Sequence, residues 1–85
     1  MDKQFENVNI SSSGNFVITV KGKVDKGLYE IFGGLSISYH TIDNNIISHL
    51  EGEVLDQAEL IGILNTLYNM RFPIVNVSMH DVSKE

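Results

Sequence analysis

Apolar positions from Leu50 to Val77 predict a strand, a helix and a second strand in succession. After Asp56, apolar residues recur every three or four residues, which is typical of a helix that covers a sheet. This stripe consists of Leu60, Ile61, Leu64, Leu67 and Tyr68, with Ile63 and Met70 at its flank. Pro73 disfavours helix at the residue before it, so we expect the helix to stop near Phe72 and a strand to follow from Ile74.

Asp56 and Glu59 have the spacing of a capping box at the start of this helix. The Asp56 carboxylate is placed to accept hydrogen bonds from the first turn, and Glu59 is placed to reach back to the Asp56 amide. We therefore interpret both residues as helix caps. Capping explains the aspartate without any catalytic role.

Alternating apolar and polar positions predict three strands before the helix, at 16–21, 35–42 and 46–53. A tight turn at Asn44-Asn45 would join the last two and place His40 directly opposite His49. One face of this hairpin would then point to the core with Leu35, Ile37, Tyr39 and Leu50. The other face would carry Ser36, Ser38, His40, Ile42, Ile47, His49 and Glu51.

The connection between the first two strands, 22–34, has apolar residues at helical spacing, a possible cap at Asp25 and a stop at Gly33-Gly34. The resulting order of elements is that of an α+β split β-α-β, or ferredoxin-like, two-layer sandwich. Its antiparallel sheet has helices on one face. Because this connection is short for a crossover, a three-stranded meander followed by helix and strand is the alternative. We expect one domain at 15–80, between a flexible leader, 1–14, and a frayed tail, 81–85.

Composition narrows the classes of partner. The net charge is -5 with only six lysines and arginines, so no basic stripe is expected and nucleic acid is an unsuitable partner. Apolar runs of two or three residues are too short to span a membrane, and the polar stretch 1–13 carries no apolar run that could serve as a signal peptide, so we expect neither. The chain has no cysteine, which excludes disulfides and zinc-thiolate sites. We expect a cytoplasmic protein.

The segment Leu50 to Leu64, LEGEVLDQAELIGIL, resembles a group of small uncharacterised bacterial proteins with the motif L-x-G-x-V-x-D-Q-A-x-L-x-G-x-L. The likeness extends over roughly residues 16–77. The chain departs from the group at Glu53, where proline is usual, and in the first connection, where tryptophan or proline is usual. The resemblance implies a compact bacterial cytoplasmic domain of unknown function and carries no activity across.

His40 and His49 are the most suggestive pair of side chains for chemistry. A protein metal site needs three or four ligands, and Ser38 and Glu51 add at best one, so we interpret both histidines as ordinary strand residues. No nucleophile can be paired with a base, and no glycine-rich loop has phosphate-binding spacing. We therefore expect no catalytic residue, no metal and no cofactor.

The remaining hypothesis is a non-enzymatic protein-interaction or regulatory module that self-associates as a homodimer. The sheet face without helices, or an exposed edge strand, would make the contact. The interface candidates are Val17, His40, Ile42, Ile47, His49 and Ile74. The alternative is a small-ligand (metabolite) sensor with a pocket formed by the loops at Gly22, Gly33-Gly34 and Gly52.

Overall fold

A computed structural model describes residues 14–80. The predicted leader, 1–14, lies outside this range except for Gly14, which begins the first strand, and the predicted tail, 81–85, also lies outside it. Four strands form one sheet in the order β2-β3-β1-β4, and every neighbouring pair is antiparallel. The strands are β1 (Gly14–Lys21), β2 (Ser36–Ile42), β3 (Asn45–Val54) and β4 (Ile74–His80). A 3-10 helix (Lys26–Phe32) joins β1 to β2, and the helix α1 (Gln57–Asn69) joins β3 to β4.

The strand order confirms the predicted α+β fold. Each helical connection passes over one strand, β3 in the first case and β1 in the second, as in the split β-α-β arrangement. A meander would pair β1 with β2, whereas β1 pairs with β3 and β4. The first connection is a 3-10 helix. Asp25 accepts from the amide of Gly27 at its start (2.8 Å), and Gly33 ends it in the left-handed conformation.

The predicted hairpin turn is wrong by one residue: the turn lies at Asp43-Asn44 and not at Asn44-Asn45. Asp43 and Asn44 both have positive φ (51° and 68°) and form the two-residue turn, so Ile42 pairs with Asn45. His40 consequently lies opposite Ile47, and His49 lies opposite Ser38. This moves the pairing by two residues. Because side chains alternate with a period of two, each residue still points to its predicted face.

The core lies between the sheet and the two helices. Leu60, Leu64 and Leu67 are fully buried, as predicted, whereas Tyr68 is 66% exposed and lies outside the buried stripe. The buried cluster consists of Phe16, Ile18, Val20, Val24, Phe32, Leu35, Ile37, Leu50, Val54, Leu60, Ile63, Leu64 and Leu67.

A bulge in β4 reverses the prediction for its first residues. The register shifts between Thr19 and Val20, so Val20 pairs with Ile74 while Thr19 pairs with Asn76. Ile74 therefore packs against the core, and Val75 is 56% exposed. The sequence predicted the opposite for Ile74, which it assigned as an interface candidate to the sheet face without helices.

The start of α1 is capped by the two predicted residues in a modified way. Asp56 Oδ1 accepts from the amide of Glu59 (2.9 Å), whereas Glu59 Oε1 accepts from the amide of Leu55 (2.7 Å) and not from that of Asp56. The helix ends at Asn69, three residues before the predicted stop.

Gly52 is required by its backbone and by its surroundings. It pairs in regular register with Phe16 and has a φ of 155°. An added Cβ would lie 3.0 Å from Leu35 Cδ2, so both the conformation and the contact favour glycine. Gly62 in α1 has no such constraint, because a Cβ there would meet nothing within 4 Å among the described residues.

We predict that Leu64→Ala lowers the free energy of unfolding by about 2 to 5 kcal/mol, because it leaves a cavity in the centre of the core. Urea unfolding measures this change. Tyr68→Ala is the matched control on the exposed side of α1 and should change stability by less than about 0.5 kcal/mol. Similar losses for the two variants would show that α1 is rotated from the described orientation.

We also predict that Asp56→Ala destabilises the domain by about 0.5 to 2 kcal/mol, whereas Asp56→Asn, which keeps an accepting oxygen, costs much less. The same unfolding measurement applies. Equal losses from both substitutions would mean that the negative charge, and not the accepted hydrogen bond, is what matters at the start of α1.

Candidate functional site

The sheet face opposite α1, here called the open face, is where the sequence places the candidate interface. Both helices pack on the other face, so no helix of the described range covers it. Alternate residues of the four strands form this face: Asn15, Val17, Thr19, Lys21, Ser36, Ser38, His40, Ile42, Asn45, Ile47, His49, Glu51, Glu53, Asn76 and Ser78.

Five of the six interface candidates lie on the open face, and Ile74 does not. Val17 is half-buried in the central strand β1, and Ile42 is 50% exposed at the end of β2. Ile47 is only 8% exposed within one chain and does not belong to the main core cluster. Its cross-strand neighbours are Lys21 and His40. The apolar centre of the open face is therefore small.

Most large exposed hydrophobic side chains lie elsewhere in the described range. Ile42 is the one on the open face; the others are Tyr29, Ile31, Ile46, Leu55, Tyr68, Met70, Val75 and Met79. The open face is thus mainly polar, with hydroxyl, amide, imidazole and carboxylate groups. A contact through the open face would therefore be polar and hydrated, unlike the apolar interfaces of permanent dimers.

His40 and His49 lie close together on the β2–β3 side of the open face. Their ring centroids are 5.5 Å apart and the rings are nearly perpendicular, at 69°. They are diagonal neighbours on β2 and β3, not opposite as the sequence predicted. Thr19 Oγ1 is 3.2 Å from His49 Nδ1, a hydrogen bond from β1 that fixes the His49 ring. The sequence missed Thr19 because its pairing with His49 requires the strand order to be known.

Charges on the open face separate along the strand direction. Lys21 lies at the end where β3 begins, opposite Ile47, and Glu51 and Glu53 lie towards the end where β3 finishes. Six residues of strand place Lys21 and Glu53 roughly 20 Å apart. The open face therefore has a basic end and an acidic end.

A second cluster lies on the helical side of the sheet, at the start of the first connection. Lys23 Nζ and Lys26 Nζ are 5.4 and 5.2 Å from the centroid of the Tyr39 ring, within the range of cation–π contacts. These three residues and Asp25 line an open depression. The Tyr39 hydroxyl donates to the Val24 carbonyl, which holds the connection against β2.

The predicted pocket between the glycine loops does not form. The amide of Gly22 bonds the carbonyl of Ile46, whereas Gly52 pairs with Phe16 near the other end of β3. Leu35, which follows Gly33-Gly34, packs on Gly52. Gly22 therefore lies at the opposite end of the sheet from the other two loops. Another depression is lined by Tyr68, Asn69, Arg71, Phe72 and Pro73, after the end of α1.

The edge strands differ in how well they are protected against pairing. Neither β2 nor the segment 74–79 of β4 has an acidic side chain, a lysine or an arginine. However, β4 follows Pro73 and contains the bulge, both of which hinder the addition of another strand. The strand β2 pairs with β3 in unbroken register and is the more accessible edge.

Residues 14–80 contain neither a cluster of metal-binding side chains nor a helix that could span a membrane. Within them, no three or more His, Asp or Glu side chains are grouped so that they could hold a metal ion. In the same range, no helix has the length and apolar character needed to cross a membrane.

Comparisons with known proteins place the chain in a family without assigning an activity. No curated protein and no solved structure matches it. A family described as a Domain of unknown function (DUF8691) matches residues 15–78, from the second residue of β1 almost to the end of β4. This match covers the sheet, both helical connections and every residue of the open face. The chain belongs to this family of domains of unknown function.

Proposed function

We propose that this domain is a non-enzymatic protein-interaction module that pairs with a second copy of itself through the open face. The observation that carries the proposal is the separation of charge on that face. When two such faces meet with their strands running in opposite directions, the basic end of each lies over the acidic end of the other. Lys21 of one copy then approaches Glu51 and Glu53 of the second copy.

Charge selects the orientation of this pair more than it supplies affinity. Exposed ion pairs contribute about 0.2 to 1 kcal/mol each, and two-fold symmetry makes every contact twice. Val17 and Ile42 add limited apolar area, and the polar groups between them suit water-mediated contacts. The association should therefore be weak and depend on concentration, as is typical of regulatory contacts.

The module acts, in this proposal, by binding and not by chemistry. A cysteine-free chain with net charge -5 suits a reducing compartment such as the cytoplasm and disfavours nucleic acid as a partner. A regulatory partner would then sense or change the relative orientation of the two copies, without any catalytic group.

We predict that Lys21→Glu weakens self-association by about fivefold to thirtyfold, because both glutamates of the second copy then face a negative charge. Glu51→Lys should weaken it less, because Lys21 keeps its contact with Glu53. An equimolar mixture of the two variants should associate more tightly than either variant alone, since residues 21 and 51 then carry opposite charges in every contact. Sedimentation equilibrium in the presence of a chelator measures all three. Lys23→Glu is the control, because Lys23 lies on Tyr39 and not on the open face.

Two results would contradict this proposal. One is a natural chain that remains monomeric at the highest attainable concentration. The other is self-association that is unaffected by Lys21→Glu, which would favour pairing through the edge of β2, two strands away from Lys21.

A second candidate function is a sensor of a small anionic metabolite, favoured by the two lysines on Tyr39. In a chain of net charge -5, three of the six basic residues fall within residues 21–26. The connection that carries them is held by hydrogen bonds from Tyr39 and Ser48, so the ammonium groups extend from a fixed backbone. Phosphate or carboxylate groups are suitable ligands for paired ammonium groups.

For this second candidate we predict that inorganic phosphate or pyrophosphate raises the melting temperature by several degrees at a concentration of about ten times its Kd. Replacing Lys23 and Lys26 together by glutamine should abolish the rise. Lys21→Gln should preserve it, because Lys21 lies on the open face. A rise that is the same in all three proteins would reflect a general salt effect and would eliminate the sensor site.

A further inference from the structure

The two histidines of the open face have the spacing of two ligands on one tetrahedral metal ion. Zinc–nitrogen bonds to histidine are about 2.0 to 2.1 Å long, and the ring centre lies roughly 1.2 Å beyond the nitrogen, so two such rings have centroids about 5 Å apart. The observed distance between the His40 and His49 centroids is 5.5 Å. Little movement is needed to bring one nitrogen of each ring onto a shared ion.

The hydrogen bond between Thr19 and His49 provides a second, independent feature of a metal ligand. Histidines that bind metals usually use their other ring nitrogen for a hydrogen bond, which fixes the ring and its tautomer. Thr19 Oγ1 forms such a hydrogen bond with Nδ1 of His49, at 3.2 Å, so Nε2 is the nitrogen that can bind a metal. His49 is half-buried and His40 is exposed, so both rings are accessible from the open face.

One chain supplies only half of a zinc site. Structural zinc is bound by four protein ligands in tetrahedral geometry, and residues 14–80 contain no group of three or more suitable side chains. The other two ligands must come from outside the described part of this chain. A second copy that covers the open face would bring an identical pair of imidazoles.

We propose that one Zn²⁺ ion lies between two facing copies and is held by His40 and His49 of each. This inference rests on the face-to-face pairing proposed above. Sheets that stack face to face are about 10 Å apart, so the plane between them is about 5 Å from each. Diagonal neighbours are about 7 to 8 Å apart, so an ion above their midpoint lies about 6.5 Å from each Cα, within reach of an imidazole nitrogen.

The proposed site has two-fold symmetry, which agrees with the antiparallel strand directions of the proposed pairing. The ion would lie on the two-fold axis, between β2 and β3, and tie the two copies together there. In this register Lys21 of one copy lies nearer to Glu51 than to Glu53 of the second copy. Imidazole ligands also bind Ni²⁺, Cu²⁺ and Co²⁺, and Co²⁺ in a tetrahedral site serves as a coloured substitute for zinc.

The test is a titration of the metal-free chain with Zn²⁺, followed by calorimetry and by sedimentation at pH 7.5. We expect one zinc ion per two chains, and at least tenfold tighter dimerisation when zinc is present. His40→Gln and His49→Gln should each abolish both effects. Thr19→Val should keep the stoichiometry and weaken zinc binding about tenfold, as expected for a residue that positions a ligand.

Controls separate metal binding from folding and from charge. Glu30→Gln removes an exposed carboxylate from the 3-10 helix, outside the open face, and should leave the stoichiometry unchanged. Urea unfolding of each histidine variant should show a folded domain. Co²⁺ should give the intense visible absorption of a tetrahedral site with the natural chain and the Glu30 and Thr19 variants, and not with the histidine variants.

The outcomes distinguish this inference from the pairing on which it rests. A chain that dimerises in chelator with the predicted charge dependence, but whose mass does not respond to zinc, overturns the metal site and leaves the pairing. A chain that is monomeric in chelator and dimeric with zinc, through both histidines, supports the site and overturns metal-free pairing. One zinc per chain without a change of mass contradicts the shared site.

Discussion

The arrangement of the sheet depends on the buried hydroxyl of Ser48 in β3. This group is fully buried, donates to the Gly22 carbonyl (2.6 Å) and accepts from the Val24 amide (2.9 Å). A buried hydroxyl without partners costs about 1 to 3 kcal/mol. This cost favours the path of the connection after β1 that brings the Gly22 carbonyl and the Val24 amide to Ser48. The Tyr39 hydroxyl holds the Val24 carbonyl from the neighbouring strand. Together these bonds allow a connection with only seven residues of 3-10 helix to cross β3.

The open face follows from this crossover. Because the connection passes over β3, β2 pairs on the far side of β3 from β1. In this order His40 of β2 lies on one side of His49 and Thr19 of β1 reaches His49 from the other. If β2 had paired with β1, as in the meander alternative, the β2–β3 hairpin would still bring His40 beside His49, but Thr19 would not reach it. The same crossover leaves both helices on one face of the sheet and the polar and charged groups on the other.

Local signals in the sequence were sufficient for α1 and for the faces of most strands. The three-and-four spacing of Leu60, Leu64 and Leu67 and the Asp56 cap depend only on neighbouring residues. The hairpin register was missed because Asp43-Asn44 and Asn44-Asn45 are both suitable turns, and only packing chooses between them.

Other features could not be predicted because they arise from contacts between strands. The bulge that turns Ile74 inwards exists only in the pairing of β4 with β1, and the bond between Thr19 and His49 exists only when β1 lies beside β3. The spacing of apolar residues in the first connection fits an α-helix and a 3-10 helix equally well over so few residues. Charge polarity along the open face was likewise hidden, because it depends on the register of Lys21 against β3.

In the proposed pairing a second copy covers the open face, and not the helical layer or an edge. Because the chain has no cysteine, a single introduced cysteine can carry a spin label at Asn76, on the open face, or at Ala58, on the exposed side of α1. Pulsed electron paramagnetic resonance then measures the distance between the labels of two copies. Stacked sheets place the Asn76 labels within about 20 Å of each other. The Ala58 labels should be more than about 30 Å apart, because the helical layers lie on the outside. Distant Asn76 labels, or Ala58 labels closer to each other than the Asn76 labels, would contradict the claim.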